Sequence, residues 1–252
     1  MAESKNALHV EGLAAPTAEP LTLLAEQLGA SLGNNLQSIT VVGSALTEDF
    51  KPGASDVNAV LVLGEYKTAA LKAVAALAKS MRKKKLSPPL LMTASYIERS
   101  RDVFGVEFLD FQLTHRTIFG ADPFAALQFD KQEVRLQCER ELKATLIRLR
   151  QGYIAAAGNN KLVRDVLIAA AKGLAPLLRA MLWLQDIERP QMMAPTFKRA
   201  AGQFNVNLEA ATTAERWRYE KPRLTDNDIE TAFESIYAAV DHLATAVDAL
   251  EL

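Results

Sequence analysis

One stretch limits the folds open to this chain more than any other: Ser38 to Leu63, SITVVGSALTEDFKPGASDVNAVLVL. Ile39 to Val42 is a short apolar, β-branched run. Gly43-Ser44 breaks it, a polar loop with Pro52 and Gly53 follows, and a second apolar run begins at Val57. The order is strand, turn, loop, strand. A Gly-Ser pair leaving a strand lets the backbone come close to a phosphate, because glycine has no Cβ in the way and the serine hydroxyl and free amides can donate to its oxygens. Asp56 and Asn58 open the second strand two residues apart, and strand side chains at that spacing share a face. The pattern predicts a phosphate-plus-metal site.

The sequence GSALTEDFKPGASDVNAVLVL resembles the nucleotidyltransferase superfamily, with its Gly-Ser turn, loop, and Ser-Asp-x-carboxylate on an apolar strand. In detail, including Lys51-Pro52, it is most similar to the aminoglycoside adenylyltransferases. The resemblance implies an α+β domain with a mixed sheet, followed by an all-α helical bundle. It also implies Mg²⁺ held by paired carboxylates against the phosphates of ATP or another NTP, with a small-molecule or protein hydroxyl as acceptor. On this reading Gly43, Ser44 and Ser55 bind phosphate and Asp56 binds metal. Asn58 stands where the family has its second carboxylate. The segment VEFLDF, 106–111, resembles the one carrying the third, which makes Glu107 the candidate metal ligand or base. Asp110, three residues on along the expected strand, falls on the other face. Lys198 resembles a lysine that reaches phosphates in the adenylyltransferases.

Asn58 divides the functional reading. Mg²⁺ favours oxygen ligands with negative charge among them, and an amide oxygen brings none. One unit charge at about 4 Å is worth on the order of 4 kcal/mol at an effective dielectric of 20, before desolvation is credited back. Two classes follow. One is an enzyme with a weakened metal site, using Asp56, Asn58 and Glu107. The other is a catalytically inactive descendant that binds nucleotide or a protein partner.

Composition narrows the setting. With 29 basic and 30 acidic residues the net charge is −1, which offers no global attraction to nucleic acid. The single cysteine, Cys138, rules out an internal disulfide and falls on an apolar helical stripe, where it reads as a small buried hydrophobe in a reducing cytoplasm. Residues 1–19 lack a signal-peptide core and read as an N-terminal arm. The most apolar window, Val166 to Leu184, is interrupted by Lys172, Pro176 and Arg179, so a buried helix is expected and no membrane partner. A homodimer is compatible with this reading.

The remaining pattern predicts a first domain over 20–125 and a helical domain over 126–252. Helices are expected over Pro20–Leu32 and Lys67–Lys85, and strands over Leu90–Thr93 and Val106–Leu113. HRTIFGADPF, 115–124, reads as a connection, with His115 capping a turn. The MRKKK end of the second helix is the one basic cluster, read as cations complementing a helix C-terminus. Beyond Asp130 come two long apolar stripes separated by Gly158-Asn159-Asn160, two short helices, and a last helix capped by Thr225 and Asp228.

Overall fold

The computed structural model describes residues 8–252, so part of the expected N-terminal arm lies outside the described residues. The chain forms two compact units, one of residues 8–101 and 111–128, the other of 102–110 and 129–252.

The first unit holds α1 (Ala15–Leu32), β1 (Leu36–Val42), β2 (Asn58–Leu63), α2 (Thr68–Lys83), β3 (Leu90–Thr93), α3 (Ala94–Arg99), the end of α4 (Gly105–Leu113), and β4 (His115–Gly120). The strands make one mixed sheet in the order β3-β2-β1-β4. β1 runs antiparallel to both β2 and β4, and β2 runs parallel to β3. A parallel pair needs a crossover, and α2 provides it. Strand alternation sends Ile39, Val41, Leu61, Leu63 and Ile118 to one face, where they share a core with Leu21, Leu24 and Leu28 of α1 and Val74 and Met81 of α2. The alternate residues Thr40, Val42, Val60 and Val62 are buried too, on the opposite face.

Helix α1 begins at Ala15, before the predicted Pro20, and carries Pro20 inside it. Proline forfeits one backbone hydrogen bond there, and the buried Thr17, Leu21, Leu24 and Leu28 hold the helix on the sheet. Ahead of it, the His9 amide donates to the Ile118 carbonyl at 2.7 Å and Arg116 Nη1 donates to the Glu11 carbonyl at 3.0 Å. These bonds cover the outer edge of β4, which would otherwise expose unpaired backbone groups.

Two expectations are overturned. VEFLDFQL is the helix α4, not a strand. Its alternation from Val106 to Phe108 imitates a strand, but Val106 and Leu109, one helical turn apart, enter the same core as Val134 and Cys138, which only a helix allows. HRTIFG is the strand β4, not a connection; it pairs with β1 from Val42↔His115 to Ser38↔Gly120.

The second unit continues with α5 (Lys131–Ala156), α6 (Asn160–Leu184), α7 (Met193–Gln203), α8 (Glu209–Glu220) and α9 (Asp226–Asp248). α6 packs against α5, α7, α8 and α9. Among the described residues α6 alone is long and apolar enough to cross a membrane, and 56% of its most apolar window is buried inside the protein. Leu142, Leu167, Leu174, Leu178, Met181, Ile236 and Leu243 meet in the core, with Cys138. Thr225 and Asp228 form the reciprocal capping box that the sequence indicates, and Asn159, in the turn before α6, caps that helix by accepting from the amides of Lys161 and Leu162. The fold is α+β, a mixed-sheet unit with a helical C-terminal region.

Gly120 closes the β1–β4 pairing with φ 75°, and a Cβ there would overlap the Gln37 carbonyl oxygen. Gly120→Ala is therefore expected to destabilise the protein by about 3 kcal/mol, through backbone strain plus the displaced strand, read as a lowered urea midpoint.

Candidate functional site

The site candidates of the first unit gather at one end of the sheet. Val42, the last residue of β1, lies opposite Asn58 in β2 and opposite His115 in β4. Adjacent strands are about 4.8 Å apart, so Asn58 and His115 flank the end of β1 at about 10 Å from one another. Gly43 and Ser44 leave β1 at this point in a short 3₁₀ turn over Gly43–Leu46. Gly43 has φ 78°, and nothing lies within 4 Å of where its Cβ would be. The Gly43 amide donates to the Thr114 carbonyl at 2.9 Å, which pins the turn to the start of β4. Ser44 is half-buried.

Asp56 and Asn58 are both exposed, whereas Val57 between them is buried in the core with α1 and α2. Alternation therefore turns both polar side chains to the face opposite those helices. Ser55 is buried, and its hydroxyl accepts from the Lys51 amide at 3.1 Å while its own amide donates to the Lys51 carbonyl at 2.8 Å. It holds the Lys51–Ser55 loop closed, and that closure delivers Asp56 to the strand.

His115 was expected in a loop. It instead opens β4, and Nε2 lies 2.8 Å from Asp122 Oδ2 while Nδ1 lies 3.2 Å from the Gln112 carbonyl oxygen. Asp122 Oδ1 accepts from the amides of Phe124 and Ala125. Burial pushes the Asp122 carboxyl up, but the Phe124 amide, the His115 ring and the Ala125 amide together outweigh it and hold the group below its ordinary value of 3.8. The His115–Asp122 pair was missed from sequence because no motif marks it. The alternation in HRTIF was the available signal.

Glu107 and Lys198 belong to the second unit. Glu107 Oε2 accepts from Gln137 Nε2 at 2.7 Å, and Gln137 Oε1 in turn accepts from the Val106 amide at 3.0 Å. One buried glutamine thus orients the carboxylate and satisfies an amide in the first turn of α4. Burial, and after it the Glu107 carboxylate, push the Cys138 thiol up, so this cysteine is an inert part of the core. Because α4 is a helix, Asp110 lies one turn from Glu107 and not on an opposite strand face as expected. It accepts from Arg179 Nη1 at 2.7 Å, and Arg179 also donates to the Pro190 and Gln191 carbonyls. Lys198 is exposed on α7.

The donor set for a metal is small. Among the described residues no group of three His, Cys, Asp or Glu side chains is arranged to hold an ion. Asp56 with the Asn58 amide oxygen is short of a self-sufficient cage. Mg²⁺ is, however, commonly held by one or two carboxylates together with substrate phosphates, and that smaller demand these two residues fit.

The fold described above is similar to that of a solved nucleotidyltransferase. That structure, spectinomycin adenyltransferase AAD(9) from Enterococcus faecialis with ATP and spectinomycin, matches with a TM-score of 0.58 over 89% of this chain and 99% of that one, at 13% identity. No protein-family model matches the chain, and no curated protein does. At that identity the likeness concerns the fold, and the chemistry must rest on the residues themselves.

The depressed Asp122 carboxyl sets a pH dependence. A carboxylate held below its unfolded value of 3.8 contributes stability that is fully present above that pH and is lost as pH falls through the folded value. Asp122→Asn should therefore be less stable than the native protein at neutral pH, by under about 1 kcal/mol because the group is partly exposed. The two should converge as pH falls below the folded value of the group, as urea midpoints across the acid range will show.

Proposed function

We propose that this protein binds a nucleoside triphosphate at the Gly43-Ser44 end of its sheet and transfers nucleoside monophosphate slowly from it to a hydroxyl acceptor, the hydroxyl oxygen bonding to the α-phosphorus as the α–β anhydride bond breaks and pyrophosphate leaves. The observation that supports this reading is the pairing of Val42 with Asn58, which sets the phosphate-type turn beside Asp56 and Asn58 on one face of the sheet. Gly43 has no side chain to obstruct a phosphate, and Ser44 has a hydroxyl to donate to one. The likeness to a fold solved with ATP and spectinomycin favours an NTP as ligand and leaves the acceptor, small molecule or protein, to the resemblance.

Asp56 would hold a Mg²⁺ arriving with the nucleotide, with the Asn58 amide oxygen as a neutral ligand. The ion would supply charge neutralisation on the phosphates. What the chain itself does is orient the phosphates and limit where the acceptor can approach. Glu107 and Lys198 keep their roles, as base or ligand and as phosphate contact, through the resemblance alone.

Asn58 favours a second reading, a cytoplasmic nucleotide-binding module without turnover. The two differ in whether a missing unit charge abolishes the reaction or only slows it.

Asn58→Asp tests the site. The substitution is nearly isosteric and returns one negative charge within reach of the ion. At an effective dielectric of 20 a full unit charge at about 4 Å corresponds to on the order of 4 kcal/mol, and even a third of that is about tenfold in affinity. Without metal the variant should be slightly less stable than the native protein, from repulsion against Asp56. With Mg-ATP it should gain a larger thermal shift than the native protein does. A variant that gains no more than the native chain would remove Asn58 from any metal site.

A further inference from the structure

The segment 66–97 contains seven lysine or arginine residues, four of them consecutive from Arg82 to Lys85, and no aspartate or glutamate. Arg82 and Lys83 fall in the last turn of α2, where cations complement the exposed carbonyls of a helix end. Lys85 does not share that role. It lies beyond the helix with φ 57°, and its carbonyl accepts from the Val57 amide at 2.8 Å. The Ser87 amide donates to the Val57 carbonyl at 2.9 Å, and Val57 and Leu86 form a parallel bridge.

Val57 is the residue between Asp56 and Asn58. Its pairing with Leu86 sets Lys85 alongside Asp56, about 4.8 Å away at the backbone and on the side away from β1. The backbone conformation alone argues nothing, since Ala157, Asp186, Asn205 and Lys221 also have positive φ. The argument is charge at this place. Lys85 is exposed and forms no ion pair among the described residues, and its four-carbon stem spans an inter-strand distance.

We infer that Lys85 is a phosphate-binding residue of the nucleotide site, and that it lets the site take a triphosphate without a divalent cation. The inference rests on the nucleotide-binding reading above. With two carboxylates at 56 and 58, an incoming polyanion would meet a formal charge of −2 and need a metal to offset it. Here Asn58 leaves one carboxylate and Lys85 balances it, so phosphates meet little net repulsion. The Gly43-Ser44 turn lies on one side of Asp56 and Lys85 on the other, which gives an extended phosphate chain a donor at each end. The loss of the carboxylate and the presence of the lysine thus act in the same direction, from metal-assisted to lysine-assisted anion binding.

Calorimetric titration of ATP into the full chain, with Mg²⁺ and with EDTA, tests this. Native affinity should change less than about threefold between the two buffers, and Lys85→Gln should weaken binding in EDTA by about fivefold, the upper range for an exposed charge pair. Lys72→Gln, on the exposed face of α2, should bind as the native protein does. Matching thermal midpoints for the three proteins show that folding is intact. Native binding that requires Mg²⁺, or Lys85→Gln binding like native, overturns the inference while leaving the nucleotide-binding reading in place. Absence of ATP binding by the native chain in both buffers overturns the two together.

Discussion

Two antiparallel ladders end on a single residue, Val42, which faces Asn58 on one side and His115 on the other. That register is imposed by burial. Ile39 and Val41 must face α1 and α2 while Thr40 and Val42 face the other way, and a slip of one residue would exchange the two sets. Val57 and Ile118 are held in the same core. The positions of Asp56, Asn58, the Gly43-Ser44 turn and His115 at one end of the sheet are consequences of that packing.

Charge at this end is unusual for a site that handles polyphosphates with metal. Of the two polar residues that open β2, Asp56 alone carries a carboxylate, Asn58 is neutral, and Lys85 is brought alongside by the backbone bonds of Val57. At the far side of β1, Asp122 is already committed to His115 and to the amides of Phe124 and Ala125. The His115–Asp122 pair is therefore best understood as fixing the turn that follows β4, with the Phe124 and His115 rings meeting edge to face.

In the helical unit the same economy of partners appears around α4. Arg179 is buried, and a buried guanidinium is tolerable only when its donors are used. Asp110, two backbone carbonyls and the neighbouring Thr196 use them. Arg189 donates to the Leu109 carbonyl, and burial, ahead of opposing attraction from Asp110, holds its guanidinium below the ordinary value. These bonds fix α4 as a helix, and Gln137 then orients Glu107 on it. A strand would turn Asp110 and the Leu109 carbonyl to different positions and break their bonds to Arg179 and Arg189.

Local chemistry was enough to read much of this chain. The break at Gly43-Ser44, the strands on either side, the Gly158-Asn159-Asn160 turn, the Thr225 cap and the long apolar stripes follow from glycine's freedom, hydroxyl capping, and a period of 3.6, none of which needs a distant partner. The pairing of Asp56 and Asn58 on one face was equally legible, since alternation is a property of the strand itself. Other features were decided only by tertiary structure. VEFLDFQL satisfies both periods over its first residues, and the choice fell to helix because Val106 and Leu109 find Val134 and Cys138 while Asp110 finds Arg179. HRTIFG became a strand because β1 had an open edge to fill. Lys85 came to lie beside Asp56 because β2 and the segment after α2 pair in parallel. Each of these depends on groups far apart in sequence, and a linear pattern carries no record of which distant surface will be there to meet it.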